Sequence, residues 1–374
     1  MKETEKIFAS NLKRLRCNAG LTQKQLANMI DYSEKSLSKW ESGIAVPPGA
    51  VLPLLAKSLN CSIDDLFATV KVVEYYLGID GGGTKTEFAL ADKSGNILER
   101  FSLGAGNPVD IGIDACFNVL KSGIERISQK VELAKVSVFA GMAGGITGNN
   151  QALIRSFLEK FGFAAVDNNS DALNAVAAGL GSDDGISVII GTGSVAFTKV
   201  GDETFRTGGF GYLLEAGGSG FSIGRDAVYA ALKYEEGNGK ETVLYEKILK
   251  KSGVNNLLSN LSEFYNGGKK EFASYAQLVF EAYEEGDAIA TEILHNNMRA
   301  VAELVTSAAQ KGGFKNKIKV VFCGGVSKSS HIILPIIKKY IKSNKYSFEV
   351  CDKAPVLGAL QLAGMTNVEV IKNA

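Results

Sequence analysis

The spacing of apolar residues changes at about residue 72, and this change requires the chain to contain more than one kind of fold. Before that point, apolar residues recur every three or four positions, as on the buried face of short helices. After it, apolar runs of strand length end in glycine-rich turns, as in residues 75–86. With 374 residues the chain is also too long for a single hydrophobic core. We therefore expect a small all-α domain followed by a larger α/β body.

Composition argues against several classes of protein. The net charge is +1, so DNA binding would need a local positive surface rather than a global attraction. The five cysteines are scattered and the two histidines are far apart, which argues against a disulfide framework or a zinc site. The chain starts with polar residues and contains no apolar run long enough for a membrane helix. We therefore expect a cytoplasmic protein with no membrane partner.

Residues 1–68 contain the start and stop signals of several short helices. Thr22 and Gln25 have the spacing of a capping box at the start of a second helix, and Ser33 is placed to cap a third. Trp40, the only tryptophan, falls on the apolar side of that third helix, so we expect it in the core. A tight turn between these two helices predicts a helix-turn-helix, whose second helix enters the major groove of DNA.

The pattern TQKQLA, then SLSKWESG, then a proline pair resembles the Cro-type (XRE) repressor family over the first 68 residues. This resemblance implies operator DNA as a partner. Residues 1–70 hold nine Lys and Arg against seven Asp and Glu, which offers one copy few phosphate contacts, so we expect a homodimer. The residues expected at the DNA are Gln23, Ser33, Lys35, Ser36 and Lys39. A helical protein-interaction module is the alternative.

Three glycine-rich turns follow apolar strands in the rest of the chain. In the first, Asp80 ends a strand and precedes glycines and hydroxyl residues. Backbone amides in such a turn can approach phosphates, while the carboxylate holds a hydrated Mg²⁺. The second turn, residues 191–194, repeats this arrangement, and the third, residues 324–325, again follows an apolar strand. Two similar hairpins predict two similar lobes that hold phosphates from both sides.

These turns, in this order, resemble those of the actin–hexokinase–Hsp70 superfamily. Within it, the segments GIDGGGTKT, GAGNPVDIG, AGMAGG, NNSDALNAVAAG, IIGTGS and APVLGALQLA are similar to the BadF/BadG ATPase and N-acetylglucosamine kinase family. The resemblance covers about residues 73–374. It implies an α/β duplicated ribonuclease-H-like (actin-like ATPase) fold after the all-α helix-turn-helix bundle. Lobe 1 would span residues 73–183 and lobe 2 residues 184–374, with a C-terminal helix that can return to lobe 1.

The resemblance also implies roles for individual residues. Asp171 matches the catalytic base that accepts a proton from a sugar hydroxyl, and Asp80 would bind Mg²⁺ through water. ATP and its phosphates would be held by Asp80, Gly82, Gly83, Thr84, Lys85, Gly191, Thr192, Gly193, Ser194, Gly324 and Gly325. The residues expected at the sugar are Asn107, Gly144, Ser170, Phe210 and Glu215. Simpler interpretations are a helix N-cap for Asp171 and an ordinary turn asparagine for Asn107.

One loop departs from the family pattern. The family usually has Gly-Gly-Trp-Gly followed by Gly-Asp-Glu-Gly-Ser, whereas this chain has Phe210 in place of Trp and Ala216-Gly217 in place of Asp-Glu. Loss of a carboxylate that accepts hydrogen bonds from a sugar is expected to weaken sugar binding. Glu215 lies next to the altered pair, but a shift of one residue along a strand or turn is expected to point its carboxylate elsewhere.

The nucleotide-binding turns thus look complete, while the sugar-binding loop looks altered. This favours a transcription regulator that binds DNA through its helix-turn-helix, binds ATP, and senses an amino-sugar-type ligand. The ROK family of sugar-responsive repressors is an analogy for such a fusion. One alternative is an active ATP-dependent N-acetylglucosamine kinase with an accessory DNA-binding domain. Another is an activator ATPase for a partner enzyme, which the lack of clustered cysteines for an iron–sulfur site argues against.

Overall fold

The computed structural model describes residues 3–68, 72–201 and 203–365. The chain divides into two compact units, Met1–Val72 and Val73–Ala374, and the boundary coincides with the change in apolar spacing. In the described part of the chain, no helix combines the length and the apolar character that crossing a membrane requires.

The first unit is a bundle of short helices. Its α-helices are α1 (Glu3–Asn18), α2 (Gln23–Met29), α3 (Glu34–Glu41) and α4 (Leu52–Ser58), with 3-10 turns at Gly49–Val51 and Asp64–Leu66. Thr22 and Gln25 form the expected capping box, and Ser33 caps α3. Asp31 makes the turn between α2 and α3 with a left-handed φ of 58°, a conformation that Asp tolerates better than most residues. Trp40 is buried, as predicted.

The second unit begins with a sheet of five strands. These are β1 (Tyr75–Gly81), β2 (Thr86–Asp92), β3 (Ile97–Leu103), β4 (Val136–Met142) and β5 (Ala165–Asn169). The order across the sheet is β3-β2-β1-β4-β5. β1, β2 and β3 are antiparallel neighbours, whereas β4 and β5 run parallel to β1. The helices of this part are α5 (Pro108–Ile111), α6 (Ile113–Ser128), α7 (Asn150–Glu159) and α8 (Asp171–Leu180).

A second sheet repeats the plan of the first. Its strands are β6 (Gly185–Ile190), β7 (Ser194–Val200), β8 (Glu203–Gly208), β9 (Ile318–Cys323) and β10 (Tyr346–Val350), in the order β10-β9-β6-β7-β8. β6, β7 and β8 are antiparallel neighbours, like β1, β2 and β3 in the first sheet. β9 runs parallel to β6, as β4 does to β1. The helices are α9 (Gly220–Glu235), α10 (Leu244–Ser252), α11 (Leu261–Ser274), α12 (Ala276–Glu284), α13 (Ala288–Gly312) and α14 (Ser330–Tyr340). The predicted duplicated α/β fold is confirmed.

The last helix, α15 (Pro355–Leu362), follows the second sheet but packs on the first, against β1 and α8. Two glycines permit this close approach. A Cβ at Gly78 would lie 2.6 Å from the carbonyl oxygen of Val356, and a Cβ at Gly358 would lie 1.9 Å from that of Asn174. A larger residue at Gly78 would push α15 away from β1, and one at Gly358 would push α15 away from α8. This packing therefore sets the distance between the end of β1 and the start of α8.

Candidate functional site

Asp80 lies at the end of β1, next to α8. Asn174 donates from Nδ2 to Oδ1 of Asp80 at 2.7 Å and to the carbonyl oxygen of Ile79 at 3.2 Å. Desolvation, opposed by this hydrogen bond and reinforced by the carboxylate of Asp171, raises the pKa of Asp80 to about 6. Two partly buried carboxylates that repel each other provide a negative potential suited to a divalent cation. In the described residues, no group of three or more His, Cys, Asp or Glu could hold a metal.

Asp171 is the first residue of α8, and the interpretation of it as a simple N-cap is wrong. Ser170 is the N-cap, since its Oγ accepts a hydrogen bond from the amide of Ala172 at 3.3 Å. The same hydroxyl donates to Oδ1 of Asp171 at 3.1 Å. Desolvation raises the pKa of Asp171, and the Ser170 hydrogen bond opposes that rise. A half-buried carboxylate with a raised pKa is chemically suited to accept a proton.

The first glycine-rich turn joins β1 to β2 and contains Gly82, Gly83, Thr84 and Lys85. Its shape is set by the backbone, because the amide of Gly82 donates to the carbonyl of Lys85 at 2.8 Å. The side chain of Lys85 pairs with Glu87 at 3.1 Å and remains 62% exposed. Lys85 is therefore oriented by Glu87 but open to a ligand at the turn.

Asn107 lies close to this turn and is more than an ordinary turn residue. Its Oδ1 accepts from the amide of Val109 at 3.0 Å, so it caps α5, and its Nδ2 donates to Oδ2 of Asp110 at 2.8 Å. A Cβ at Gly144 would lie 2.4 Å from Oδ1 of Asn107, and one at Gly83 would lie 3.0 Å from Oδ2 of Asp110. Sequence reasoning missed Asp110. Its position three residues after Asn107, in the first turn of a helix, was the available signal.

The second turn joins β6 to β7 and faces a cavity of about 430 Å³. The amide of Gly191 donates to the carbonyl of Gly193 at 2.9 Å, which closes the turn. Thr192 and Ser194 belong to the same lining, together with Ser170. The structure thus brings the second turn and the start of α8 to one cavity.

Glu215 lines this cavity too, so the expectation that its shifted position would turn the carboxylate away is wrong. The hydroxyl of Ser219 donates to Oε1 of Glu215, and the amide of Ser194 also hydrogen-bonds to the carboxylate. Desolvation raises the pKa of Glu215, and these hydrogen bonds oppose the rise. Phe210, by contrast, is 71% exposed and is not part of the lining, which its neighbours Gly209 and Gly211 reach.

The loop that carries Glu215 is held by buried polar groups. Oδ1 of Asn297 accepts from the amide of Gly218 at 2.8 Å and from the hydroxyl of Ser222 at 2.7 Å. Gly217 has a φ of 134°, which side chains with a Cβ rarely adopt. A glutamate at position 217, as in the family pattern, would therefore need a different backbone path.

The third turn lies against the second. Gly324 has a φ of 96°, and a Cβ there would lie 2.5 Å from the carbonyl oxygen of Ile190, at the end of β6. A cavity of about 380 Å³ is lined by Gly191 and Thr192 on one side and by Gly325 on another, with Ala276 and Gln277 of α12. The second and third turns therefore share one cavity, as is expected of groups that hold the phosphate and nucleoside parts of one ligand.

In the first unit, the side chains predicted at the DNA lie around α3. Ser33, Lys35 and Lys39 are exposed and Ser36 is half-buried. The hydroxyl of Ser33 accepts from the amide of Ser36 at 3.1 Å, so capping already occupies it. Lys35 and Lys39 form no ion pair within the described residues, which leaves both ammonium groups available to phosphates.

Gln23, at the start of α2, is positioned by a buried ion pair. Nε of Arg16 lies 2.5 Å from Oε1 of Glu41, and this pair ties α1 to the end of α3. Gln23 donates from Nε2 to Oε2 of Glu41 at 2.8 Å. The amide group of Gln23 is thus already held by Glu41, next to the start of α2.

Two sugar kinases are similar to this chain. An N-acetyl-D-glucosamine kinase of Dictyostelium discoideum is 30% identical over 314 residues, which make up 78% of this chain and 98% of that protein. An N-acetylmuramic acid/N-acetylglucosamine kinase of Clostridium acetobutylicum is 28% identical over 282 residues, 73% of this chain and 92% of that protein.

A solved structure resembles both parts of the chain. It is a ROK family transcriptional regulator, a homologue of the E. coli MLC protein, and the likeness covers 98% of this chain and 97% of that one. The TM-score is 0.54 at 13% sequence identity, so the likeness is one of fold alone.

Family comparisons account for both units of the chain. Residues 12–66 match a helix-turn-helix family. Residues 77–363, which are most of the chain, match the BadF/BadG/BcrA/BcrD ATPase family, and this implies that the second unit uses ATP. The chain is therefore a member of the BadF/BadG/BcrA/BcrD ATPase family that carries a helix-turn-helix ahead of its ATPase domain.

Proposed function

We propose that this protein is a transcription regulator that binds operator DNA as a homodimer and senses an amino-sugar-type ligand together with Mg–ATP. The observation that carries the proposal is the pairing, in one chain, of a helix-turn-helix with a kinase-like unit whose sugar loop is altered. The nucleotide turns keep the pattern of the family, while the loop at 208–219 has lost its Asp-Glu pair. A unit that keeps its nucleotide turns but has an altered sugar loop is suited to bind an amino-sugar-type ligand in a different way from the family's kinases.

ATP would lie across the second and third turns, in the cavity lined by Thr192 and Gly325. Asp80, beside Asp171, would hold Mg²⁺ through water, and a bound cation would offset the desolvation and the repulsion from Asp171 that raise the pKa of Asp80. The Mg²⁺ would supply charge neutralisation for the phosphates. Glycines in the turns let the backbone amides come close to phosphate oxygens without steric hindrance.

The ligand would lie between the start of α8 and the loop that carries Glu215. Ser170 and Glu215 line one cavity and offer a hydroxyl and a carboxylate to sugar hydroxyls. Asn107 and Asp110 form a second polar pair near the first turn. A sugar hydroxyl placed against Asp171 would lie next to the carboxylate that is proposed as the catalytic base. An amino sugar suits this set because it presents several hydroxyl donors and an amide.

An active ATP-dependent amino-sugar kinase is the second candidate. The observation that favours it is Asp171, the first residue of α8, whose carboxylate is half-buried and whose pKa is raised by desolvation. The relatives from Dictyostelium discoideum and Clostridium acetobutylicum are both named as kinases. In this case Glu215 would replace the missing carboxylate, and DNA binding would be an additional activity.

A ligand panel separates the two candidates. N-acetylglucosamine, N-acetylmannosamine, glucosamine and N-acetylmuramic acid are each incubated with the full chain and Mg–ATP, while ADP release and thermal stability are measured together. A thermal shift without ADP release supports the regulator, and turnover at ordinary enzyme rates supports the kinase. Absence of any effect with every sugar would refute an amino-sugar ligand.

DNA binding is tested separately, by selection of a preferred site from random DNA. Lys39→Ala should weaken binding to the selected site by about 1 kcal/mol and reduce its salt dependence, because one phosphate contact is lost. Lys57→Ala, which removes an exposed lysine from α4, is the matched control. Should the full chain select no sequence, the regulator proposal would be wrong.

A further inference from the structure

Two cysteines that are distant in the sequence lie side by side in the second sheet. Cys323 is the last residue of β9, and Cys351 directly follows β10. The two strands are parallel, with Phe322 opposite Val350, and the amide of Cys351 donates to the carbonyl of Phe322 at 2.9 Å. Cys323 and Cys351 are therefore the next pair in register. Cys351 also packs against the apolar cluster that contains Cys323.

The pair is accessible to small molecules. Both thiols line a cavity of about 490 Å³, which Gly324 and Ser327 of the third turn also line. Cys351 is partly exposed, whereas Cys323 is buried. A small oxidant that enters the cavity therefore reaches Cys351 more readily, and Cys323 is the thiol next to it in register.

The two thiols differ in acidity, as is needed when one thiol reacts with an oxidant and the other then forms a disulfide with it. The interaction with Cys323 lowers the pKa of Cys351, and the same interaction, together with burial, raises the pKa of Cys323. Cys351 is thus the more acidic of the two thiols, and the thiolate is the nucleophilic form. Burial raises the pKa of Cys116 to about 11, so this third thiol is expected to be inert.

We propose that Cys351 and Cys323 are an oxidation site, at which a peroxide converts the dithiol to an intramolecular disulfide that weakens nucleotide binding. The Cys351 thiolate attacks one peroxide oxygen, the O–O bond breaks, and a sulfenic acid and hydroxide result. The Cys323 sulfur then attacks the sulfenic sulfur; the S–S bond forms, the S–O bond breaks, and the departing oxygen leaves as water with the Cys323 proton. Two electrons pass from the thiols to the peroxide, and a dithiol reductant reverses the change.

The effect on nucleotide follows from the position of Cys323, and this part rests on the proposed use of the third turn for ATP. Gly324 directly follows Cys323 and is packed against the backbone of Ile190, immediately before the second turn. A disulfide fixes the Cys323 backbone relative to β10, since its geometry permits only a narrow range of Cβ separations. Any displacement of Cys323 is therefore passed to the two turns that line the proposed nucleotide cavity.

The test uses the full chain with Cys17→Ser and Cys61→Ser, which removes the two other cysteines that are not buried. Hydrogen peroxide is added at low excess, and free thiols are counted before and after treatment with dithiothreitol. Peptide mapping under non-reducing conditions then identifies any crosslink. We expect the loss of the Cys323 and Cys351 thiols together, their recovery on reduction, and a linked peptide pair. Mg–ATP affinity, measured by calorimetry, should fall in the oxidised form by on the order of five- to tenfold.

Two further variants keep the proposal open to refutation. Cys323→Ala removes the interaction that lowers the pKa of Cys351, so Cys351 should form a sulfenic acid more slowly. A dimedone probe should still trap it, without a disulfide and without the loss of Mg–ATP affinity on oxidation. Cys351→Ser should show no crosslink and no dimedone adduct. Absence of a crosslink in the parent protein would overturn the proposal. A crosslink with unchanged Mg–ATP affinity would overturn its regulatory part, and failure of the reduced protein to bind Mg–ATP would instead count against the proposed function.

Discussion

The second glycine-rich turn and the loop at 208–219 both face one cavity, but they are held in different ways. The turn is fixed by its own backbone, through the hydrogen bond between Gly191 and Gly193. The loop has backbone hydrogen bonds near Gly211, but its far end is held by the side chain of Asn297 from the distant helix α13, which binds Gly218 and Ser222. A backbone-held turn keeps its shape through most substitutions. A loop held by a few side chains can change its ligand while the rest of the fold stays the same.

The largest effect is expected from a substitution at Asp171, at the start of α8, which reaches the same cavity. If the protein is a kinase, Asp171→Asn should lower turnover by about 10²- to 10⁴-fold and leave ligand affinity nearly unchanged, because a general base acts in the transition state. Steady-state ADP release and ligand titration measure the two effects. Asp167→Asn, at the exposed end of an ion pair with Arg155, is the control. If the protein is a sensor, Asp171→Asn should leave ligand-dependent release of DNA unaltered.

The nucleotide side is tested with Asp80→Asn. Removal of this carboxylate should lower the Mg²⁺-dependent part of ATP affinity by about 10- to 100-fold, because hydrogen bonds and contacts to charged groups contribute roughly 1.5–3 kcal/mol each. Calorimetry with and without Mg²⁺ separates this effect from metal-independent binding. Equal Mg–ATP affinity in the variant and the parent would remove Asp80 from the proposed metal site.

The loop side is tested with Glu215→Gln. Because Glu215 lines the cavity, this change should lower the affinity for the ligand that the panel identifies by about tenfold, while the affinity for Mg–ATP stays unchanged. Glu203→Gln, on the exposed edge of β8, is the matched control. A reduction of Mg–ATP affinity as large as that of ligand affinity would contradict the division of the cavity into a nucleotide side and a ligand side.

A pH titration gives the smallest expected effect. The pKa of Asp80 is raised from 3.8 to about 6 in the folded protein, so between these pH values the folded state binds a proton that the unfolded state has lost. The contribution of Asp80 to the free energy of unfolding therefore falls as the pH rises from about 4 to about 6. At neutral pH, Asp80→Asn should therefore raise the free energy of unfolding of the nucleotide-free protein by on the order of 1–2 kcal/mol, and near pH 4 it should leave that free energy unchanged. Urea titrations at the two pH values measure this difference. An equal effect at both would show that Asp80 is not perturbed.

Features that depend on neighbours in the sequence could be predicted. The capping box of Thr22 and Gln25, the cap at Ser33 and the two glycine-rich hairpins all depend on residues a few positions apart. The duplicated sheet followed from the hairpins and from the resemblance to a known superfamily. Even here a local ambiguity remained, because Ser170 and Asp171 are both good capping residues and only the structure shows which one caps α8.

The amino-acid sequence by itself determined where the helices, strands and turns of this protein lie, because capping, apolar spacing and glycine turns act over a few residues. Tertiary structure alone decided which distant side chains meet. It brought Glu215 into the cavity of the second turn through a loop that Asn297 holds, and it placed Cys351 beside Cys323 through the register of two parallel strands. Such meetings depend on how whole elements pack, and no short-range pattern carries that information.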